Sequence, residues 1–262
     1  FHTPQPRTVC AVTGTNGKTS VAAFARQIWT FAGEKAASMG TLGVVAPGEE
    51  VPGSLTTPDP VVLHRTLAGL AERGIDHVCL EASSHGLDQS RLDGLTLTAA
   101  AFTNITRDHL DYHGSMEAYR AAKRRLFDEL LPGGGTAVLN AESDAYADLR
   151  EVCERRGIRV LDYGAEARAI RLLSAAPLAD GQDLKLRVDG VDHKVRLPLA
   201  GAFQAANALA ALGLAIATGV PTATAIEALG SLEGVPGRMQ KVATRANGAP
   251  VFVDYAHTPD AL

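Results

Sequence analysis

Residues 13–20, Thr13-Gly14-Thr15-Asn16-Gly17-Lys18-Thr19-Ser20, constrain the fold of this chain more than any other stretch. Residues 7–13 before them are apolar and β-branched, as in a buried strand, and residues 20–31 after them carry apolar side chains at helical spacing. A strand, a Gly-rich turn and a helix in that order aim several backbone N–H groups and the positive end of the helix at one point. Gly14 and Gly17 let an anion approach the backbone, Lys18 would reach the β- and γ-phosphates of a nucleotide, and the Thr19 hydroxyl would take Mg²⁺. The loop is tighter than the general phosphate-loop pattern, which has glycine five residues before the Gly-Lys pair, where this chain has Val12. The competing reading is an ordinary glycine turn; the strand and helix on either side favour nucleotide binding.

With 262 residues, 46% of them hydrophobic, and a net charge of −4, the chain has enough apolar material for one large domain or two modest ones. The mild acidity argues against a nucleic-acid partner. Cys10, Cys79 and Cys153 are too few and too scattered for a disulfide framework or a zinc site, which fits a reducing cytoplasm. No secretory leader pattern opens the chain, and the Ala-rich run 205–218, interrupted by Asn207 and Gly213, reads as a buried helix rather than a membrane span. The missing initiator Met and the stop just after a strand-like segment suggest a piece of a longer protein.

Further along, helices are expected over 61–73, 115–131, 143–156, 203–218 and 221–229, and strands over 77–82, 97–105 and 136–139. Residues 36–45 read as strand and loop, and 49–60 as a polar connection without an element of its own. This alternation predicts an α/β fold with a mostly parallel sheet covered by helices on both faces. Residues 169–198 switch to alternating polar and apolar positions around Asp189-Gly190, the signal of a small antiparallel hairpin region. Gly234-Val235-Pro236-Gly237 marks a joint between a nucleotide-binding domain, 1–234, and a second segment, 235–262.

Parallel sheets bind ligands beyond the carboxyl ends of their strands. Glu81 ends one such strand after Val78-Cys79-Leu80 and is placed to hold Mg²⁺ directly or through water, with Ser83, Ser84 and His85 on the turn that follows. The next strand end, 103–113, is dense in charge and imidazole; His109 is its candidate metal ligand, whereas His113 reads as a surface histidine. In the helix over 115–131, Ser115 suits the N-cap, and the apolar stripe Met116, Tyr119, Leu126, Phe127 and Leu130 takes in Lys123. A lysine there must be neutralised, paired, or extended along its stem to solvent.

Taken together, TGTNGKTS, MGTLG, TTPDP, EASSHGLDQSRLDG, FTNITRDHLDYHGSMEAYRAAKRRLF, GAFQAANALAA, PGRM and VDYAHTPDAL resemble the Mur ligases, ATP-dependent amide-bond-forming enzymes of peptidoglycan precursor synthesis. The resemblance spans nearly the whole chain. It is strongest to the members that add a diamino acid, meso-diaminopimelate or L-lysine, to UDP-N-acetylmuramoyl-L-alanyl-D-glutamate through an acyl phosphate. It implies a carbamylated Lys123 and two Mg²⁺ ions held with the help of Thr19, Glu81, His109 and that carbamate. Gly14, Thr15, Asn16, Gly17, Lys18, Thr19, Ser20, Asn207, Arg238 and Asp254 match ATP-binding positions, and Thr56, Thr57, Ser83, Gln89 and Arg91 match positions that grip the UDP-sugar peptide. The resemblance further implies a cytoplasmic monomer with no membrane or nucleic-acid partner, and makes this chain the central ATP-binding domain plus the start of a C-terminal α/β domain. Two other readings share some of these features: a folylpolyglutamate synthetase-like ligase, against which SSHGLDQSR and RDHLDYHG argue, and a non-catalytic nucleotide switch.

Overall fold

The computed structural model describes residues 4–256. Strand β1 (Thr8–Thr13) is buried along its whole length and leads through the Gly-rich turn into α1 (Lys18–Phe31). β2 (Ala36–Gly40), β3 (Gly43–Ala46) and β4 (Glu49–Val51) follow as antiparallel neighbours. The segment 49–60 therefore opens with a short strand. Its Glu-Glu-Val sequence has no alternating pattern, and backbone pairing with β3 makes it a strand.

Helix α2 (Pro60–Glu72) begins at Asp59, whose carboxylate accepts from the N–H groups of Val61 and Val62, and buries Leu63, Leu67 and Leu70. Next come β5 (His77–Glu81), the single-turn helix α3 (Ser84–Asp88), β6 (Ala99–Phe102), α4 (Leu110–His113) and α5 (Met116–Arg125). The helix expected over 115–131 widens into a π turn at Leu126–Leu130. The Arg156 guanidinium donates to the carbonyls of Phe127 and Leu131 at 2.7 Å each and so satisfies groups that this end leaves free.

The chain continues through β7 (Thr136–Asn140), α6 (Tyr146–Arg155), β8 (Arg159–Gly164), β9 (Ile170–Leu178), β10 (Gly181–Val188) and β11 (Val191–Leu197), then α7 (Ala202–Ala217), α8 (Thr222–Ala228), β12 (Gln240–Thr244) and β13 (Pro250–Val253). Eleven strands form one sheet in the order β11-β10-β9-β8-β7-β6-β1-β5-β2-β3-β4. Its centre is parallel and both edges are antiparallel. The predicted antiparallel region is thus an extension of the main sheet, and its turn is Asp189-Gly190, both at positive φ (49° and 79°).

One face of the sheet packs Phe24, Ile28 and Trp29 of α1 against Leu209 and Leu212 of α7; the other packs Leu63, Leu67, Phe127 and Leu149 over Val9, Val78 and Leu80. Beyond the joint, β12 and β13 pair as a separate two-stranded sheet. Residues 257–262, where the expected C-terminal α/β domain would continue, lie outside the described residues. Among those residues no helix is long and apolar enough to cross a membrane, and Cys10, Cys79 and Cys153 are all buried free thiols.

Candidate active site

β1 lies between β5 and β6; the chain leaves β1 toward the β5 side and leaves β5 for the opposite side, at β6, so a crevice opens beyond the carboxyl end of β1. The Gly-rich turn lies in that crevice. Gly17 has φ 88°, and a Cβ there would lie 2.3 Å from Asn207 Oδ1; a Cβ on Gly14 would lie 1.9 Å from Thr103 Oγ1. The turn is pinned from β6: Thr15 N–H donates to the Asn104 carbonyl and Asn16 N–H to Asn104 Oδ1, both at 2.9 Å, while Thr103 Oγ1 donates to the Asn16 carbonyl at 2.6 Å. Lys18 Nζ donates to the carbonyls of Gly14 (2.9 Å) and Thr15 (2.8 Å), which holds the ammonium over the cradle.

Glu81 is only 2% exposed. Its Oε1 accepts from Thr41 N–H at 2.8 Å, and its Oε2 from Thr19 Oγ1 at 3.1 Å and Thr41 Oγ1 at 3.3 Å. Gly40 leaves the room for this carboxylate, since a Cβ there would sit 2.0 Å from Oε1. Burial pushes the Glu81 carboxyl above its ordinary range, opposed by the charge of Lys18; burial likewise lowers the Lys18 amine, opposed by Glu81. Arg238 reaches in from beyond the joint and donates to Thr19 Oγ1 at 3.3 Å. Asp254 fixes that segment by accepting from the N–H groups of Met239 (2.6 Å) and Ala256 (2.7 Å).

These groups surround a cavity of about 520 Å³. Thr15 to Ser20, Glu81, His109, Asn207, Arg238, Asp254 and Thr56 all line it, so most of the sequence-predicted nucleotide and metal positions meet in one place. Thr57, Ser83, Gln89 and Arg91 do not line it and form an adjoining network. Thr57 Oγ1 donates to the Glu81 carbonyl at 2.8 Å and lies 3.0 Å from Ser83 Oγ, and the Arg91 guanidinium bonds the Thr57 carbonyl and Gln89 Oε1.

Lys123 also stays outside the lining. It is 2% exposed, its Nζ donates to the Gly14 carbonyl at 2.8 Å, and it lies 4.6 Å from the Tyr119 ring centroid. Burial drives its amine well below the ordinary lysine value, Lys18 adds to that, and Asp108 opposes it. The lysine is therefore turned inward, and its stem does not lead it to solvent. His109 has φ 50° and sets Nε2 3.3 Å from Asp108 Oδ2. His113, expected at the surface, is instead half-buried, its ring 5.5 Å from that of His85 and 5.3 Å from that of Tyr119. It ends α4, and the turn at Gly114 sets its ring between those of Tyr112 and Tyr119.

Among the described residues no three His, Cys, Asp or Glu side chains converge on a metal position. Glu81 and Thr19 instead offer one carboxylate and one hydroxyl beside a phosphate cradle, a donor set that suits Mg²⁺ completing its shell with phosphate oxygens and water. Sequence reasoning missed Thr41 and Asp108. The only signal for Thr41 was its place after the glycine that ends β2, at the same sheet edge as Glu81.

Residues 12–215 match the family model described as Mur ligase middle domain. The UDP-N-acetylmuramoyl-L-alanyl-D-glutamate–2,6-diaminopimelate ligase of Caulobacter vibrioides is 55% identical over all of this chain and 55% of its own length. A solved structure carrying the same ligase name superposes with a TM-score of 0.86 at 33% identity, over 98% of this chain and 52% of that one. Folylpolyglutamate synthase of Mycobacterium tuberculosis complexed with ADP gives 0.78 at 20% identity, over 97% and 63%, and so shares the fold. This chain spans about half the length of the curated relatives it matches. With the Gly-rich turn and the buried Glu81 lining one cavity and Lys123 bonded to the turn from behind, the chain belongs to the Mur ligase family and matches its middle domain.

Proposed function

We propose that this chain is the ATP-binding part of a ligase that adds 2,6-diaminopimelate, or L-lysine, to UDP-N-acetylmuramoyl-L-alanyl-D-glutamate, forming ADP and phosphate. The observation that carries the reading is Glu81 held 3.1 Å from Thr19 at the mouth of the phosphate cradle, in a chain 55% identical to a ligase of that name. The cradle N–H groups, Lys18 and Arg238 would bind and neutralise the triphosphate, and Asn207 would border the nucleoside. The D-glutamate side-chain carboxylate then attacks the γ-phosphorus, its bond to the β-γ bridging oxygen breaks, and ADP leaves. The amine of the diamino acid attacks the resulting acyl phosphate, expels phosphate and gives up a proton.

Thr19, Glu81, His109 and a carbamylated Lys123 are the groups assigned to two Mg²⁺ ions, which when bound would offset phosphate charge. Carbamylation needs a neutral amine, which burial favours: Lys123 Nζ would form an N–C bond to CO₂ and lose a proton, which turns a buried amine into an oxygen donor. Thr56 would meet the UDP-sugar peptide at the cavity wall, and Thr57, Ser83, Gln89 and Arg91 beside it. Such an enzyme would work as a monomer in the cytoplasm.

The test is ADP release by the full-length protein that contains this chain, assayed with each substrate omitted in turn. Release that requires both the muramyl dipeptide nucleotide and the diamino acid is expected; ADP release independent of both would favour a nucleotide switch. This chain alone should make little product, because three substrates must be brought together.

A further inference from the structure

Tyr119 is fully buried and lies between the Gly-rich turn, the loop bearing His109, and Lys123. It stands on α5 one turn before Lys123, whose Nζ is 4.6 Å from its ring centroid, and the rings of His113 and His109 approach it at 5.3 and 6.4 Å. Its hydroxyl lies 3.0 Å from Thr15 Oγ1 in the phosphate cradle. Thr15 Oγ1 in turn accepts from Thr106 N–H at 3.0 Å and faces the Thr106 carbonyl at 3.3 Å.

Counting protons gives a self-consistent direction for this chain of bonds. A threonine hydroxyl has one proton to give. If Thr15 gives it to the Thr106 carbonyl and accepts from Thr106 N–H, its remaining lone pair takes the proton of Tyr119. Every donor is then used once. A buried phenol costs free energy unless its hydroxyl is bonded, so a phenylalanine would fill the same space at lower cost if the ring alone mattered. The phenol stays protonated, since burial pushes it up to about 12.

We infer that Tyr119 is a positioning residue whose hydroxyl, through Thr15 and Thr106, locks the phosphate cradle and the loop bearing Asp108 and His109 to the helix bearing Lys123. Without that link the cradle still has its bonds to Asn104 and, through the Gly14 carbonyl, to Lys123, but Thr15 and the loop after Thr106 lose their hydrogen bond to α5. This inference rests on the nucleotide reading of the cradle.

The experiment measures Mg·ADP affinity by calorimetry for this chain and for Tyr119→Phe, Thr15→Val and the double variant, well below each one's melting temperature. Tyr119→Phe keeps the ring and should weaken Mg·ADP about fivefold, the worth of one neutral hydrogen bond. The double variant should bind as Thr15→Val does, since the link is already cut. A ring that only fills the core would lower the melting temperature and leave affinity unchanged. Losses that simply multiply in the double variant, or unchanged affinity in Tyr119→Phe, overturn the inference. If Tyr119→Phe does not fold, the link is tested by comparing Thr15→Ser, which keeps the hydroxyl, with Thr15→Val: the serine variant should bind Mg·ADP about fivefold more tightly than the valine variant, and equal affinities overturn the inference. Failure of the unmodified chain to bind Mg·ADP would overturn the nucleotide reading itself, and this inference with it.

Discussion

Replacing Gly40 by alanine isolates the contribution of the Glu81 seat without touching any ligand group. The added Cβ would lie 2.0 Å from Glu81 Oε1, 2.4 Å from Cδ and 2.5 Å from Cγ, all far inside the roughly 3.5 Å at which carbon atoms rest. Gly40 is held by its antiparallel pairing with Gly43, so the backbone has little room to retreat and the carboxylate must turn. Turning takes Oε1 off Thr41 N–H and Oε2 off Thr19. One hydrogen bond to a charged group is worth about 2 kcal/mol, or about 30-fold in affinity. Calorimetric titration of this chain with ADP should show about that loss in the presence of Mg²⁺ and nearly none in its absence. Parental Mg²⁺-dependent affinity, or an equal loss with and without the metal, would refute the reasoning that places Glu81 at the metal and makes Gly40 its spacer.

Glu81→Gln should remove the Mg²⁺ enhancement of ADP binding while leaving the urea midpoint no lower than the parent's, because it removes a charge whose burial costs free energy. Gly213→Ala would set a Cβ 2.5 Å from Val138 Cγ1 where α7 crosses β7, and should cost about 1–3 kcal/mol of stability by urea titration. His77 packs on Trp29, its ring nitrogen 3.6 Å from Glu34, and burial lowers it below its ordinary value of 6.5 despite the pull of that carboxylate. The folded state thus binds its proton less readily than the unfolded chain, so its contribution to stability is present above pH 6.5 and is lost as pH falls through the folded value. Melting temperatures taken from pH 6.5 down to about 5 should fall less steeply in His77→Gln than in the parent.

The central parallel strands were legible because each is a short apolar run with a glycine or polar stop, as in β1 and β5, and because both sheet faces are buried. β8 was not: its Arg159 and Asp162 break the apolar pattern, and Asp162 serves instead to accept from Tyr146 Oη and from the N–H groups of Arg168 and Ala169. β4 was missed for the same reason, since pairing rather than side-chain pattern defines it. In the site, the cradle and Glu81 were visible through local spacing, and the inward turn of Lys123 through its helical phase with Tyr119. Thr41 was not, because its partner Glu81 is far away in sequence, and Asp108 was not, because the fold rather than its neighbours brings it to the cavity. His113 was misjudged because its cover comes from the loop and turn around it, which no periodicity records.

The sheet order has a consequence for the making of the protein. β1 is synthesised before both of its partners, β5, with Thr8 beside His77, and β6, with Cys10 beside Ala99. Asn207, which closes on Gly17, comes later still, on α7. A nascent chain therefore carries an unpaired apolar strand and an unformed Gly-rich turn until α7 has been synthesised, and the nucleotide site proposed above cannot close before then.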